Sequence, residues 1–547
     1  MKIISKVISV MAGVALCFTA CTDLSEDVYN KIPADSFGKT PEQASAMVNS
    51  AYTTLRGDAY DDQRGYAAGE YIYYMGALSS DEAILPACNE GRDWLDGFRY
   101  MELLFHDFKS NSEATTGAWR YAYKNIANIN NIITNTVEPL SVDSVSKRAM
   151  LAELRALRAY HYFRLLDWFG NVPLMKSFSD TTALTNENMR PTVFEFTRQE
   201  LEESVPYLPE TGYGRMIKNA GLCLLSRLYL NAYVFKYPDY QDRISYYNSD
   251  PDGYYARVVE VCNMANGVLE ADYFTNFLEK NEVSNENLFT VVYDKEMDGS
   301  EAYGNWHVSH TTHEQMKWMV SPTGKGAFGT GTIRVKPGVY GTFEAGDARR
   351  NAIAAGECYY MNDPSKGVIT FELNERGRVD KNAKLIFTED VSDIIDVYQR
   401  EGYRLKKYQL VDNMEWCSNH DLVLMRYAEI LLNRAEALVR LGRPQEAAAD
   451  LTAIRTRANL TGASQTGSIT MESVELERRH EFFFEDMRRT DMIRYGTFSS
   501  LSWLKPQWAM QVTERQPRIG DKNTNLYPVP DLEMKKNPLL KQNPGYN

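Results

Sequence analysis

Two short stretches combine aromatic rings with polar groups on glycine-containing segments. Gly91-Arg92-Asp93-Trp94 sets a tryptophan beside a guanidinium and a carboxylate. Tyr303-Gly304-Asn305-Trp306-His307 joins two rings to an amide and an imidazole, and Trp318 follows downstream. An aromatic face stacks on the apolar face of a pyranose, while nearby Arg, Asp, Asn or His groups read its hydroxyls. Arg92, Asp93, Trp94, Tyr303, Asn305, Trp306, His307 and Trp318 are therefore candidate ligand contacts. The competing reading for each tryptophan is packing within a loop. Trp119, Trp168 and Trp416 lie on or beside helical stretches and read as structural. Asp81-Glu82 offers two carboxylates for hydroxyls or for calcium, against the plainer reading of a solvated loop.

Other chemistries have less behind them. His307, His310 and His313 are three apart, but no HExxH accompanies them and no further ligand is evident, so no metal is expected. No Walker, GxSxG or GxGxxG motif stands where a strand–helix context would support it. Asp and Glu number 73, so carboxylate pairs are unavoidable and a glycosidase pair cannot be singled out. No catalytic residue and no cofactor is expected. The net charge is −13 and no Lys/Arg-rich run appears, which argues against a nucleic-acid partner.

The N-terminus reads as a processing segment, residues 1–20. Lys2 and Lys6 precede the apolar run Val7–Phe18, which is too short to span a bilayer, and Thr19-Ala20-Cys21 closes it. Small residues directly before a cysteine resemble a bacterial lipobox, with Cys21 as the lipidated mature N-terminus. Residues 21–39, opening with Asp23, Glu26 and Asp27, then form a tether and resemble the surface-export signals of some Gram-negative lipoproteins. The other cysteines are widely spaced without a CxxC, so buried free thiols are expected.

A helical framework must position the aromatic stretches. At 547 residues the chain can bury a large core. LAELRALRAYHYFRLLDWFGNVPL (151–174) carries an apolar stripe at three- and four-residue steps, flanked by more aromatic bulk than one helix can cover. Helices are also expected from Thr40-Pro41 to Leu55 and over 119–137, 142–169, 191–206, 219–235, 254–269, 422–441, 444–458 and 471–495. Ala159-x3-Phe163 and Ala447-x3-Leu451 show the small–large step of tetratricopeptide hairpins. The expected organisation is a helical region over 40–271, a loop-rich insertion over 272–416, a second helical stretch over 417–495 and an extended tail over 496–547. Two excursions, 57–117 and 272–416, concentrate the glycines and exposed aromatics.

Four stretches together resemble the SusD/RagB family of nutrient-binding outer-membrane lipoproteins. They are LAELRALRAYHYFRLLDWFGNVPL, RYAEILLNRAEALVRLGRPQEAAADLTAIRTRA, ELERRHEFFFEDMRRTDMIRYG and LYPVPDLEMKKNPLLKQNPGYN, with the lipobox at Cys21. The resemblance runs from Cys21 to Asn547. It implies a mainly α, SusD-like fold with four tetratricopeptide-type helix pairs and a loop-rich irregular ligand-binding region. It implies a glycan ligand, an anchor in the outer membrane at the cell surface, and a TonB-dependent transporter of the SusC type as partner. It implies no catalysis. A surface peptide-binding transporter lid and a surface glycoside hydrolase are the alternatives. The family's ligand residues form no fixed motif, so none is transferred by position.

Overall fold

The computed structural model describes residues 40–57, 72–87, 100–179, 184–237, 244–246, 249–294, 306–309, 311–326, 329, 331–375, 377–414, 418–460, 468–512 and 516–546. The leader, Cys21 and the tether lie outside them, as do Cys88, Trp416 and Cys417.

Eight helices carry the framework, and among the described residues each packs against the next in chain order. They are α1 (Pro41–Thr53), α2 (Glu113–Ile132), α3 (Ser144–Trp168), α4 (Arg190–Ser204), α5 (Lys218–Leu230), α6 (Tyr254–Met264), α7 (Tyr427–Arg440) and α8 (Ala448–Arg457). They follow one another as four consecutive helix pairs. The starts follow capping chemistry. Gln43 N–H donates to Thr40 Oγ1 at 3.3 Å and Thr40 N–H donates back to Gln43 Oε1 at 3.4 Å. Asp143 accepts from the Ser146 amide at 2.9 Å, a residue after the expected start of α3. Gly442, at φ +71°, ends α7 where a Cβ would strain the backbone.

The main core lies between these helices. In α3, Leu154, Leu157, Tyr162, Leu165 and Leu166 are fully buried, and Trp168 is nearly so. Trp119 meets Phe169 edge-on at 5.1 Å, in keeping with the structural reading of both helix-borne tryptophans. Cys223, Cys262 and Cys358 are buried free thiols.

Strands pair only in twos among the described residues. β1 (Asn287–Val291) pairs antiparallel with β4 (Leu422–Arg426), and a hairpin joins β2 (Thr370–Glu375) to β3 (Arg378–Lys384). The first five residues of the stretch expected as helix over 422–441 are therefore a strand. All five are buried, and LVLMR is β-branched or long enough to fill a sheet side lying over β1.

Three other expectations are corrected. The stretch 471–495 is not one helix. It divides into α9 (Met471–Glu481) and α10 (Arg488–Tyr495) around a turn with Phe484 at φ +62° and Asp486 at φ +60°. The tail is not simply extended: Pro506–Gln511 and Asp531–Lys536 are helical, each started by proline, and Tyr527 and Val529 are fully buried. The described part of the first excursion is core rather than an open loop. Tyr74 stacks on Tyr100 at 4.3 Å, and Ala83–Ile84 pairs with Arg334–Val335 of the second excursion.

Buried charge holds these parts together. Arg164 of α3 pairs with Asp486 in the turn, and Arg489 Nη1 reaches Asp167 Oδ2 at 2.9 Å. Arg426, at the end of β4, meets Glu286, Glu481 and Glu485, while Arg457 of α8 meets Glu286 and Glu481. Arg349 adds Asp347 at 2.8 Å, Glu477 at 2.7 Å and Glu481 at 3.1 Å. Burial pushes the Glu481 carboxyl up, but Arg457, Arg426 and Arg349 outweigh it and hold the group below the usual carboxylate range. Such pairs add little net stability over an apolar replacement, yet each fixes which segments meet.

Candidate functional site

The second excursion rests on a small core of its own: Tyr273, Phe277, Met316, Phe387 and Tyr408 are its larger members. Under it sits the charge cluster around Arg426. The Arg426 guanidinium lies 5.6 Å from the Tyr273 ring centroid and 5.4 Å from Phe277. Lys407 donates to Glu485 Oε1 at 2.6 Å, and burial pushes its ammonium down to about 8 in spite of that partner.

On this base stands Trp318, in a 3₁₀ helix over Glu314–Met319. His313 Nδ1 accepts from the Gln315 amide at 3.1 Å and starts that helix. Trp318 is half-buried and meets Tyr360 edge-on at 5.8 Å. Gly324, at φ +64°, lies against the indole; a Cβ there would stand 2.3 Å from the ring. The ring is thus held by its neighbours while part of it faces solvent. A fixed, half-open indole suits stacking on a sugar ring, because little side-chain freedom remains to be lost on binding.

The other candidate residues divide. His307 is buried, its ring 4.6 Å from Tyr408, so it packs into the floor of this region. Its backbone carbonyl accepts from Thr311 Oγ1 at 2.9 Å. An exposed ligand contact was expected at His307; the turn Trp306–Ser309 instead sets both His307 and Val308 in the interior. Trp306 opens that turn, but its side chain lies outside the described residues. Arg92, Asp93, Trp94, Tyr303 and Asn305 also lie outside them. Trp318 and His307 stand over the same small core; the structure brings no other candidate beside them among the described residues.

Asp81-Glu82 is not a solvated loop. Asp81 accepts from Arg488 Nε at 2.7 Å and lies 3.3 Å from Arg479. Burial raises its carboxyl, but the two guanidiniums outweigh that and hold it at about 2. Glu82 is fully buried, and burial reinforced by the Asp81 charge pushes it up to about 8. Neither of its side-chain oxygens meets a hydrogen-bond partner among the described residues.

One open groove was not anticipated. It has a volume of about 790 Å³ and runs between the β2–β3 hairpin and residues 386–401. The alternation in FELNERGRVDKNAKLIF around Arg376-Gly377 is the signal that marks the hairpin.

Comparison with known proteins fits this architecture. A sequence profile described as the SusD family matches residues 246–546, and one described as starch-binding, associating with outer membrane, matches residues 87–230. The starch-binding protein SusD of Bacteroides thetaiotaomicron is 25% identical, over 89% of this chain and 88% of its own length. A SusD-like protein, P2, of Formosa agariphila is 23% identical over 97% and 98%. Among solved structures, surface glycan-binding protein A of Bacteroides fluxus superposes with TM-score 0.66 at 22% identity, covering 93% of this chain and all of its own. A laminarin-binding SusD-like protein gives 0.65 at 20% identity, over 92% and 99%. At such identities the superpositions establish a mainly α, SusD-like fold. No helix among the described residues is long and apolar enough to cross a membrane.

Proposed function

The chain belongs to the SusD family, and on that footing we propose that it is a cell-surface glycan-binding lipoprotein without catalytic activity. It captures an oligo- or polysaccharide and delivers it to a TonB-dependent outer-membrane transporter of the SusC type. The observation that carries the ligand class is Trp318: a half-exposed indole clamped between Tyr360 and Gly324, above a core stiffened by buried charge. Relatives named for starch and for laminarin support a glycan over a peptide. Trp94 and Trp306, with Arg92, Asp93, Tyr303 and Asn305, are proposed to complete the platform.

Residues 1–20 act in this proposal as a lipoprotein leader and 21–39 as the tether from lipidated Cys21 to the body. Stacking platforms of this kind bind with micromolar to millimolar Kd, or roughly −4 to −8 kcal/mol. Affinity gel electrophoresis against starch, laminarin and other polysaccharides tests the ligand. Retardation by at least one glycan with no release of reducing ends is expected; failure with every glycan defeats the reading. Purification of the tagged lipoprotein from outer membranes tests the partner, with a TonB-dependent transporter expected to accompany it.

A further inference from the structure

We infer that the groove between the β2–β3 hairpin and residues 386–401 is a second saccharide site, suited to neutral sugars and separate from the tryptophan platform. The inference rests on the reading of this chain as a glycan binder, but on none of the residues assigned to that platform.

The groove is built rather than incidental. Its two walls are tied together where Gln399 N–H donates to Glu375 Oε1 at 2.6 Å. The second wall is braced where Thr388 N–H donates to the Arg400 carbonyl at 2.9 Å. Glu401 is held from the same side, accepting from Ser392 Oγ at 2.8 Å and from the Ser392 amide at 3.3 Å. The hairpin itself is closed by the Glu375–Arg378 pair, with Gly377 at φ +72°. Walls fixed in this way need little ordering when a ligand arrives.

The lining has the composition that sugar hydroxyls require. Leu373 and Ile386 supply an apolar strip, and Tyr398 supplies a ring. Arg378 and Arg400 enter as fork donors, and neither guanidinium meets a carboxylate among the described residues. Asp380 and Glu401 enter as acceptors. A vicinal diol both donates and accepts, so facing guanidiniums and carboxylates can satisfy it from two sides. Three carboxylates against two guanidiniums leave the groove slightly negative, which disfavours uronates and sulfated sugars. A polymer that reaches both this groove and Trp318 gains through effective concentration, whereas a short oligosaccharide cannot.

Affinity gel electrophoresis with laminarin and with starch, alongside calorimetry with laminarihexaose and maltoheptaose, tests this on the full mature chain. Arg378→Ala/Arg400→Ala is expected to weaken polymer retardation at least fivefold and to remove one binding event from the oligosaccharide isotherm, with the melting temperature unchanged. Asp380→Asn, which alters an exposed hairpin residue, is expected to act in the same direction. Retardation by both variants within twofold of the unmodified chain, with loss confined to Trp318→Ala, overturns the second site and leaves the proposed function standing. Loss confined to the groove variants supports the groove and instead removes the tryptophan platform. Failure of all four saccharides to bind overturns both.

Discussion

Residues 475–494 and the hairpin residues 370–384 are both dense in charge, yet the charges of the first are buried and those of the second face water. In the first, Glu477, Arg478, Glu481, Asp486, Arg489, Asp491 and Arg494 are all buried and paired across elements. In the second, Arg378, Asp380, Lys381 and Lys384 are exposed on a two-stranded hairpin. The difference is in what accompanies the charge. Phe482, Phe483 and Phe484 pull the first segment into the core, and the helices around it supply opposite charges at matching positions. The hairpin has polar residues alternating about a glycine turn, with no second sheet to cover it. Buried charge here specifies the scaffold; on the proposed reading, exposed charge serves ligands.

The sharpest way to break this contrast is to remove one member of the buried cluster. Glu481→Ala leaves Arg426, Arg457 and Arg349 short of a carboxylate, at an expected cost of about 3–5 kcal/mol in chemical unfolding. An equal truncation on the hairpin, Lys381→Ala, is expected to change stability by less than about 0.5 kcal/mol. Similar costs at both places would end the distinction.

Glu82 gives the next effect, and it depends on pH. Its carboxyl titrates near 8 in the folded chain against 4.5 when unfolded. Between those values the folded state holds a proton that the unfolded state has lost, so stability falls as pH rises through this window. Glu82→Gln is expected to flatten that slope and to gain a few kcal/mol at pH 8 relative to pH 5, read from denaturation midpoints. An unchanged slope would show that Glu82 is charged in the fold.

A smaller loss is expected at Gly76. A Cβ there would stand 1.9 Å from Asp486 Oδ1, the partner of Arg164. Gly76→Ala should cost about 1–3 kcal/mol by overpacking the turn that joins α9 to α10. Alanine at Gly346, where nothing lies within 4 Å, meets no such obstacle, although its φ of +91° carries its own strain.

These cases also mark what was legible beforehand. The helices and their pairing followed from apolar spacing, caps and the small–large steps, because those patterns are local. The division of 471–495 did not, since helix propensity gives no warning that Phe484 and Asp486 adopt φ of +62° and +60°. Tertiary ion pairing imposes that turn: Asp486 reaches Arg164, and Arg488 reaches Asp81, 407 residues away in sequence. For the same reason Asp81 looked like a solvated carboxylate. Trp318 was legible as an aromatic in the second excursion, but not its place in a short 3₁₀ helix against a core of its own. The burial of His307 was not legible, because nothing in the local sequence marks that this single turn packs both His307 and Val308 inward. The groove beside the hairpin escaped notice because it is a matter of shape, assembled from positions 373–401 that only folding brings face to face.

A small expected stability change belongs to the central claim. Calorimetric titration of the purified mature chain with laminarin and starch, repeated on Trp318→Ala beside its melting curve, joins the two halves of the account. The account predicts that the unmodified chain binds at least one of these glycans, that Trp318→Ala weakens binding at least tenfold, and that its melting temperature moves by only a degree or two. Binding that survives the substitution, or binding lost together with a collapse in melting temperature, would contradict the assignment of the glycan platform to this ring.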